Sequence, residues 1–562
     1  MDNYQIADIF SLLSKLMDIH GENNFKAKSY ASAAFTIEKL PMPLTETPHE
    51  KIFQVKGIGE SSGKKIIEIL ETGSLKVLQE LVEKTPTGVI EMLNLKGIGP
   101  KKIHTIWKEM EIESIGELLY ACKENRLKLY KGFGEKTQQN VIDTIEFYLS
   151  NQGSNLYPQV EAVEPQITAY LQKLFGPGNV FITGAFKRQL EIVDELEYVV
   201  NSTNELIKPK FISVNPPELL EENAGNLLYK LLNGLKLRLY TGTEAVENRL
   251  FISSGSAEFV NAFSFRFPEI DFTMAKDTDD ASLFEQAGIH FIPSCLREKA
   301  AIIDRALAAP LPRLIQPQDI KGIIHSHSNW SDGSNTLEEM ALAAQAQGLE
   351  YLVISDHSKS AFYANGLHED RIRAQHEQVD ALNRKLTGFK IFKSIESDIL
   401  YDGSLDYSHE VLSTFDLVIA SVHSILKMTE EKAMQRLITA IENPYTTILG
   451  HMTGRLLLSR KGYPVDHKLI IDACAANNVV IELNAHPVRL DIDWRYIDYA
   501  LEKNVMISID PDAHSIEGFK DTRYGVLAAQ KGMVTKEQNL SSMSLPEFEQ
   551  FVLNNRSKKA AL

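Results

Sequence analysis

IKGIIHSHSNWSDG, residues 320–333, begins a series of short apolar runs that end on imidazoles and carboxylates. The others are LEYLVISDH (349–357), FKIFKSIES (389–397), FDLVIASVH (415–423), TTILGH (446–451), VVIELNAH (479–486) and VMISIDPDAH (505–514). Val/Ile/Leu runs of this length, separated by helical patterns of about a dozen residues, are the pattern of parallel β/α units. A closed parallel barrel gathers its strand C-termini on one face, where active sites of such barrels lie. Residues distant in sequence are therefore expected to meet at one mouth.

The residue types predict the chemistry of that mouth. His325 and His327, two apart on what reads as an extended strand end, are expected to leave the same face. With Asp332, His357, Glu396, His423, His451, Asp512 and His514 they make nine nitrogen or oxygen ligands and no thiolate. That set suits Zn, Mn or Fe and is too large for one ion. Two or three divalent ions held close together suit phosphoester hydrolysis, because they can clamp both the attacking and the leaving oxygen. The VVIELNAH run ends instead on Glu482, Asn484 and His486. Single histidines on polar helical or loop sequence (His368, His376, His409, His467) read as surface or hydrogen-bonded residues.

The blocks HSHSNWSDG, SDHSKS, IESDIL, DGSLD, ASVHS, GHMTGRLL and DPDAHS resemble the polymerase-and-histidinol-phosphatase (PHP) family. Over nearly its whole length the chain resembles the bacterial PolX family, in which a family X DNA polymerase is fused to a C-terminal PHP exonuclease. The resemblance implies a distorted seven-stranded barrel with three metals. One would be held by His325, His327, Glu396 and Asp512, a second by the bridging Glu396 with His423 and His451, a third by Asp332, His357 and His514. Glu396, Asp512 and His325 would then be central to catalysis. Met452 stands where a proline usually follows the preceding His. Arg455, Lys359 and Arg460 are cationic, near ligands in sequence and candidates for substrate phosphate, Arg455 foremost because its planar fork matches a phosphate. Asp398 is either a carboxylate orienting a ligand or a surface charge.

The N-terminal third predicts a different task. Ile6, Ile9, Phe10, Leu13, Leu16 and Met17 fall at helical spacing. VKGIGESSGKKIIEIL (55–70) then sets Gly57 and Gly59 before Lys64 and Lys65, and LKGIGPKKIHTIW (95–107) repeats this with Gly97, Gly99, Lys101 and Lys102. A weaker copy carries Gly132 and Gly134. Glycines at a helix joint let a turn approach a phosphate, and the N–H groups opening the next helix bind it. Such helix-hairpin-helix contacts go to the backbone, so DNA binding is expected to follow structure rather than sequence. The chain's net charge is −16, yet residues 1–150 hold 19 Lys and Arg against 21 Asp and Glu. A near-neutral module with local lysine pairs can bind a phosphate backbone.

Between these parts, VFITGAFKRQLEIVDELEYVV (180–200) resembles the strand-turn-strand block of family X polymerases. The resemblance implies an Asp-x-Asp strand and a third Asp on a neighbouring strand, holding two magnesium ions. Here Glu195 and Glu197 replace the pair, Lys236 stands at the third position, and the later nucleotide-contact block reads SSGSAEFV (253–260). Magnesium demands near-ideal octahedral geometry and an ammonium repels it. The expectation is a polymerase-shaped domain without its activity or its magnesium, with Glu195 and Glu197 on a solvated strand face.

The expected architecture is a multi-domain α/β chain. Residues 1–80 form an N-terminal helical domain with the first hairpin, 81–150 the second hairpin, 160–240 a polymerase-like palm, 241–315 a thumb-like segment, and 320–562 the PHP phosphoesterase barrel. NQGSNLYPQVEAVEP (151–165) reads as a linker, the proline-rich segment around Pro310, Pro312 and Pro317 as a joint, and the terminal RSKKAAL as disordered. Cys122, Cys295 and Cys474 are widely spaced and odd in number, which favours neither a disulfide frame nor a thiolate metal site. No signal-like start or run of about 18 apolar residues is present, so a cytoplasmic protein, a monomer and no membrane partner are expected. The expected function is a metal-dependent 3′→5′ DNA exonuclease or 3′-end-processing phosphoesterase acting on gapped or 3′-ended DNA. The alternatives are a histidinol-phosphatase-like phosphatase of small molecules and a non-catalytic DNA-binding scaffold.

Overall fold

The computed structural model describes residues 3–38, 40, 42–95, 97–149, 153–211, 216–270 and 280–560. Compactness divides the chain into one unit of Met1–Lys123 with Leu127–Tyr148 and another of Glu124–Arg126 with Leu149–Leu562. No described helix is long and apolar enough to cross a membrane.

The first unit is helical. Helices Asn3–His20 and Asn24–Glu38 bury Ile6, Phe10, Leu13 and Leu16 against Ala27, Tyr30 and Ala33, and the Phe10 and Tyr30 rings meet edge-on at 5.9 Å. The three Gly-x-Gly turns share one geometry. Gly57, Gly97 and Gly132 take φ of +97°, +90° and +93°, a region only glycine enters freely. Gly59 and Gly99 cap the helices Glu60–Thr72 and Pro100–His104.

In the second unit, strands β1 (Val180–Thr183), β2 (Glu195–Asn201), β3 (Glu218–Asn223), β4 (Asn226–Lys230) and β5 (Lys236–Gly242) form a mixed sheet in the order β1-β2-β5-β4-β3. Its apolar face packs Leu196, Tyr198, Leu237 and Leu239 against the helix Glu164–Phe175. The segment expected as a linker is ordered from residue 153; residues 151 and 152 lie outside the described residues. Its Asn155 and Leu156 pair with Val193 and Ile192, and Tyr157 stacks on Phe186 at 4.6 Å. Pro158 sits in the first turn of a short helix, where its missing N–H costs nothing. A proline that reads as a breaker is here a helix start.

Seven parallel strands follow: β6 (Gly322–Ser326), β7 (Tyr351–Ile354), β8 (Lys390–Asp398), β9 (Leu417–Ser421), β10 (Ile448–Leu449), β11 (Val480–Asn484) and β12 (Ile507–Asp510). They pair in sequence order, and the Ser326–Ala513 bridge brings β6 beside the chain that leaves β12. β6, β7, β9 and β12 are buried throughout, as strands covered on both faces must be, which explains their unbroken apolar runs. Helices return the chain between strands, several with side-chain caps: Thr336 and Glu339 form a capping box on Leu337–Ala346, and Asp466 caps His467–Asn477. The C-terminal helix Leu545–Ala560 extends through the stretch expected to be disordered, with residues 561 and 562 outside the described residues. Its Phe548, which precedes that stretch, stacks on Tyr351 at 4.3 Å, at the strand N-termini.

The proline-rich joint is strapped down. Ile315 is fully buried, its N–H donates to Val534 O at 2.9 Å, and its carbonyl accepts from Gln530 Nε2 at 2.8 Å. Lys531, buried, ties the middle segment to the barrel: its Nζ donates to Arg188 O at 2.8 Å, Cys295 O at 3.3 Å and Glu298 Oε1 at 3.3 Å. Glu191 completes the joint, accepting from Trp494 Nε1 at 3.1 Å and Arg495 Nη1 at 2.8 Å. Lys531→Met leaves these acceptors without their donor and should destabilise the chain by about 3 kcal/mol, the lower end for breaking a buried pair because Glu298 keeps Arg188. A fall in urea midpoint at constant m-value is the reading that checks it.

Candidate metal centre at the strand ends

The nine residues singled out above converge at the C-terminal ends of the barrel strands. Glu396, on β8, lies at the centre of the cluster: its carboxylate is 3.3 Å from His325 Nε2, 2.9 Å from His357 Nδ1, 3.0 Å from His423 Nε2 and 3.1 Å from His451 Nε2. Asp512 Oδ1 lies 3.4 Å from His325 Nε2 and 3.1 Å from His327 Nε2. Asp332 faces His357 and His514, each at 3.5 Å. Three groups bring their ligand atoms within 4.8 Å of one another: His327/Asp332/His357/His514, His325/His327/Asp512 and His357/Glu396/His423.

His325 arrives by a route that strand alternation did not foresee. Its φ is +58° and the β6–β7 register shifts between Ile323 and Ser326, so a bulge, not an extended end, aims the ring. Asp512 also takes a left-handed backbone, with φ of +53°. Two left-handed non-glycine residues facing each other across the cluster are the kind of local strain that gathers at functional sites.

The electrostatics follow from burial among opposite charges. Burial pushes the Glu396 carboxyl up, but His423, His325 and His357 outweigh it and hold it well below the usual carboxylate range. Burial and the neighbouring His514 and His357 press His327 down to about 4, so its imidazole is neutral. At His325, His357, His423 and His514 the surrounding carboxylates outweigh burial and raise the imidazoles above their usual range; a metal held by these groups would take the place of those protons. His325 Nε2, His327 Nδ1, Asp332 Oδ2, Glu396 Oε2 and His514 Nε2 are buried without a well-formed hydrogen bond. Such atoms normally find partners, and divalent cations held among the three groups would satisfy them. The residues present fit a metal cluster.

Carboxylates behind the cluster set its geometry. Glu482 Oε2 accepts from His325 Nδ1 at 2.5 Å, while its Oε1 accepts from the backbone N–H of His451 and from Asn484 Nδ2, both at 3.0 Å. Asn484 also donates to Asp512 Oδ2 at 3.0 Å. Asp398, left open by the sequence, accepts from His423 Nδ1, so it orients a ligand and is not a surface charge. Asp356 was not singled out as a site residue, yet it accepts from Ser328 N, Ser328 Oγ, Ser331 N, Ser331 Oγ and Gln375 Nε2. It thereby holds the loop between His327 and Asp332. The Asp-His pair at the end of β7 was its only sequence signal.

The candidate phosphate cations are otherwise engaged. Arg455 donates to Arg489 O, Leu490 O and Asp493 Oδ2, spending its fork on a neighbouring loop. Lys359 pairs with Glu369 at 2.7 Å, and Arg460 donates to Gly454 O. Arg489, which sequence reasoning passed over, is buried with Nε 3.9 Å from Asp512 Oδ2.

The mixed sheet presents a contrasting cluster. Glu195 is only partly exposed: the Arg238 guanidinium grips both its oxygens, Nη2 to Oε1 at 3.0 Å. Glu197 Oε2 accepts from Ala185 N at 2.8 Å and its Oε1 from Tyr240 Oη at 2.9 Å, while burial raises its carboxyl above the usual range. β2 and β5 pair Glu195 with Lys236 and Glu197 with Arg238. Lys236 is therefore on the adjacent strand as expected, but Arg238 is the cation that reaches the carboxylate. In the hairpins, Lys64 pairs with Glu60 at 2.7 Å and Lys101 is exposed, while Lys65 and Lys102 lie 5.8 Å and 5.7 Å from the Tyr30 and Phe133 ring centres.

Glu482→Gln keeps the shape behind His325 and removes the charge. It should weaken retention of divalent metal about 10- to 100-fold, as loss of a carboxylate behind a ligand histidine does. Metal content after graded chelation checks this, with a melting curve to show that the fold persists.

Sequence comparisons agree with this anatomy. A family described as a helix-hairpin-helix domain matches residues 1–75, a SAM-like helix-hairpin-helix tandem matches 89–146, and the PHP domain matches 324–486. The last match ends before Asp512 and His514. The chain is 30% identical to the DNA polymerase/3′-5′ exonuclease PolX of Bacillus subtilis (strain 168), over 98% of this chain and 99% of that protein. A probable phosphatase of Acetivibrio thermocellus is 32% identical over 29% of this chain and 64% of its own length. One of Caldicellulosiruptor bescii is 31% identical over 28% and 63% respectively. With an all-helical, hairpin-bearing N-terminal unit, a mixed palm-like sheet and a strand-end ligand cluster in one chain, matched along its length by such a relative, the protein belongs to the bacterial PolX family.

Proposed function

We propose that the chain is a metal-dependent 3′→5′ DNA exonuclease or 3′-end-processing phosphoesterase, with the hairpins holding DNA and the barrel cutting it. The observation that carries this reading is the strand-end cluster, in which buried ligand atoms at the ends of β6, β7, β8 and β12 lack hydrogen-bond partners and face one another. Two or three divalent ions, Mn, Zn or Fe, would be held by His325, His327, Glu396 and Asp512, by Glu396, His423 and His451, and by Asp332, His357 and His514. When bound, such ions polarise a phosphoester and stabilise the charge that develops on its oxygens.

The protein's own residues do the positioning. Glu482 and Asp398 fix the rings of His325 and His423 by their Nδ1 hydrogen bonds, so that Nε2 of each faces the cluster. Asp356 clamps the loop carrying Asp332. Arg489, beside Asp512, is a candidate for a substrate phosphate oxygen in place of Arg455. All nine ligands come from one chain, which supports a monomer as the working unit. Three free, buried cysteines suit the reducing cytoplasm.

The palm is read as a polymerase-shaped scaffold without bound magnesium. Arg238 supplies to Glu195 the positive charge that a metal would bring, and Glu197 is saturated by hydrogen bonds. DNA is held through the N–H groups that follow Gly57-Ile58-Gly59 and Gly97-Ile98-Gly99, with Lys64, Lys65, Lys101 and Lys102 near the phosphates.

A 5′-labelled gapped duplex incubated with Mn²⁺ and all four dNTPs tests both halves of the proposal. The primer should shorten and not lengthen, and His325→Ala/His327→Ala should abolish the shortening. Extension would overturn the reading of the palm. Phosphate release from a small phosphoester, with the primer intact, would favour the small-molecule phosphatase. Separately, Lys101→Ala/Lys102→Ala should weaken binding alike across DNA sequences and lower the slope of log K against log salt by about 1 to 2, measured by fluorescence anisotropy in chelator.

A further inference from the structure

We propose that the rim of the strand-end cluster is a stacking platform for unpaired bases at the 3′ end of a single strand, with Phe362 as its principal contact. The inference rests on the reading of the barrel as a DNA 3′-end phosphoesterase, and it names how that site would recognise its substrate.

Three large apolar side chains stand exposed on loops that leave the ligand-bearing ends of β7, β9 and β10. Phe362, five residues after His357, is 84% exposed. Ile425, two after His423, is 51% exposed, and Leu458, seven after His451, is 45% exposed. One exposed apolar residue needs no explanation. Three on the loops of one strand-end face do, and the backbone adds a second, independent observation. Ile425 and Leu458 take φ of +55° and +59°, a left-handed conformation that a β-branched residue such as Ile425 adopts only under constraint. The two loops brace each other: a Cβ on Gly454 would lie 3.7 Å from Leu426 and 3.3 Å from Tyr463. Phe362 has its own support. It opens the turn Phe362–Ala364, its ring meets that of Tyr363 edge-on at 6.1 Å, and Tyr363 lies 6.4 Å from the imidazole of His357. A ladder of rings leads from solvent to a ligand.

The occupant follows from what the rim offers. Lys359 and Arg455, the cations nearest these ligands in sequence, are each paired with a carboxylate. A small, highly charged phosphoester would meet the cluster and the buried Arg489 and leave the exposed apolar rim unused. A nucleobase has an apolar face that stacks on an aromatic ring whatever its identity, which matches the sequence-independent backbone contacts expected of the hairpins. An unpaired base can reach such a ring; a stacked duplex pair cannot.

The test uses the full chain and a short single strand ending in 3′-terminal 2-aminopurine, in EDTA so that no cleavage occurs. Binding should change the fluorescence of the terminal base and not that of the same base placed at the 5′ end. Phe362→Ala should abolish the change and weaken binding roughly 5- to 150-fold, the range that stacking of one base spans, while Phe362→Trp should retain both. A strand with an abasic 3′ residue should bind wild type and Phe362→Ala equally. A wild-type protein without the fluorescence change, or a Phe362→Ala variant that behaves as wild type, overturns the platform. Stacking that persists in a protein unable to shorten DNA with Mn²⁺ would sink the exonuclease reading and leave the platform standing.

Discussion

Burial of charge is the constraint on which this structure turns. Asp332, Glu396, Glu482 and Asp512 lie inside the barrel mouth with almost no exposure. Isolated ions there would cost many kcal/mol, so each must meet an opposite charge or a donor. Imidazoles from the ends of β6, β7, β9, β10 and β12 meet them, and the parallel barrel is what brings those groups to one place. A one-residue slip in any strand would turn its ligand away from the mouth. The apolar runs between the strands' ends therefore do more than fill a core: their register sets the cluster.

Precision within the cluster comes from a layer of carboxylates that touch no candidate substrate position. Glu482 links His325, His451 and Asn484, and through Asn484 reaches Asp512. Asp356 organises an entire loop with five donors. This layer explains why β11, whose run ends on no candidate ligand, still belongs to the site. Its Glu482 and Asn484 face the same way, two residues apart, and brace ligands from three other elements.

The mixed sheet and the barrel show two outcomes of the same problem. Both gather carboxylates at strand ends, but in the mixed sheet the countercharge is built into the chain as Arg238, whereas in the barrel several ligand atoms are left for something else to satisfy. Lys531 and Glu191 join the middle segment to the barrel within one unit.

The barrel, its seven strands, the convergence of the nine candidate ligands and the glycine turns were legible in the sequence. They depend on local pattern: apolar run length, the periodicity between runs, ligand types at run ends, and glycines before paired lysines. What the tertiary structure alone decided depends on contacts between residues far apart. The bulge that aims His325 is visible only against β7. The capture of Glu195 by Arg238 needs the pairing of β2 with β5, and the diversion of Arg455 needs the loop at residues 489–493. The ordering of the 153–165 segment and of the C-terminal helix required the apolar surfaces they cover. Sequence pattern names which groups are present and which way a strand turns them; partners contributed by other strands determine which of those groups remain free to act.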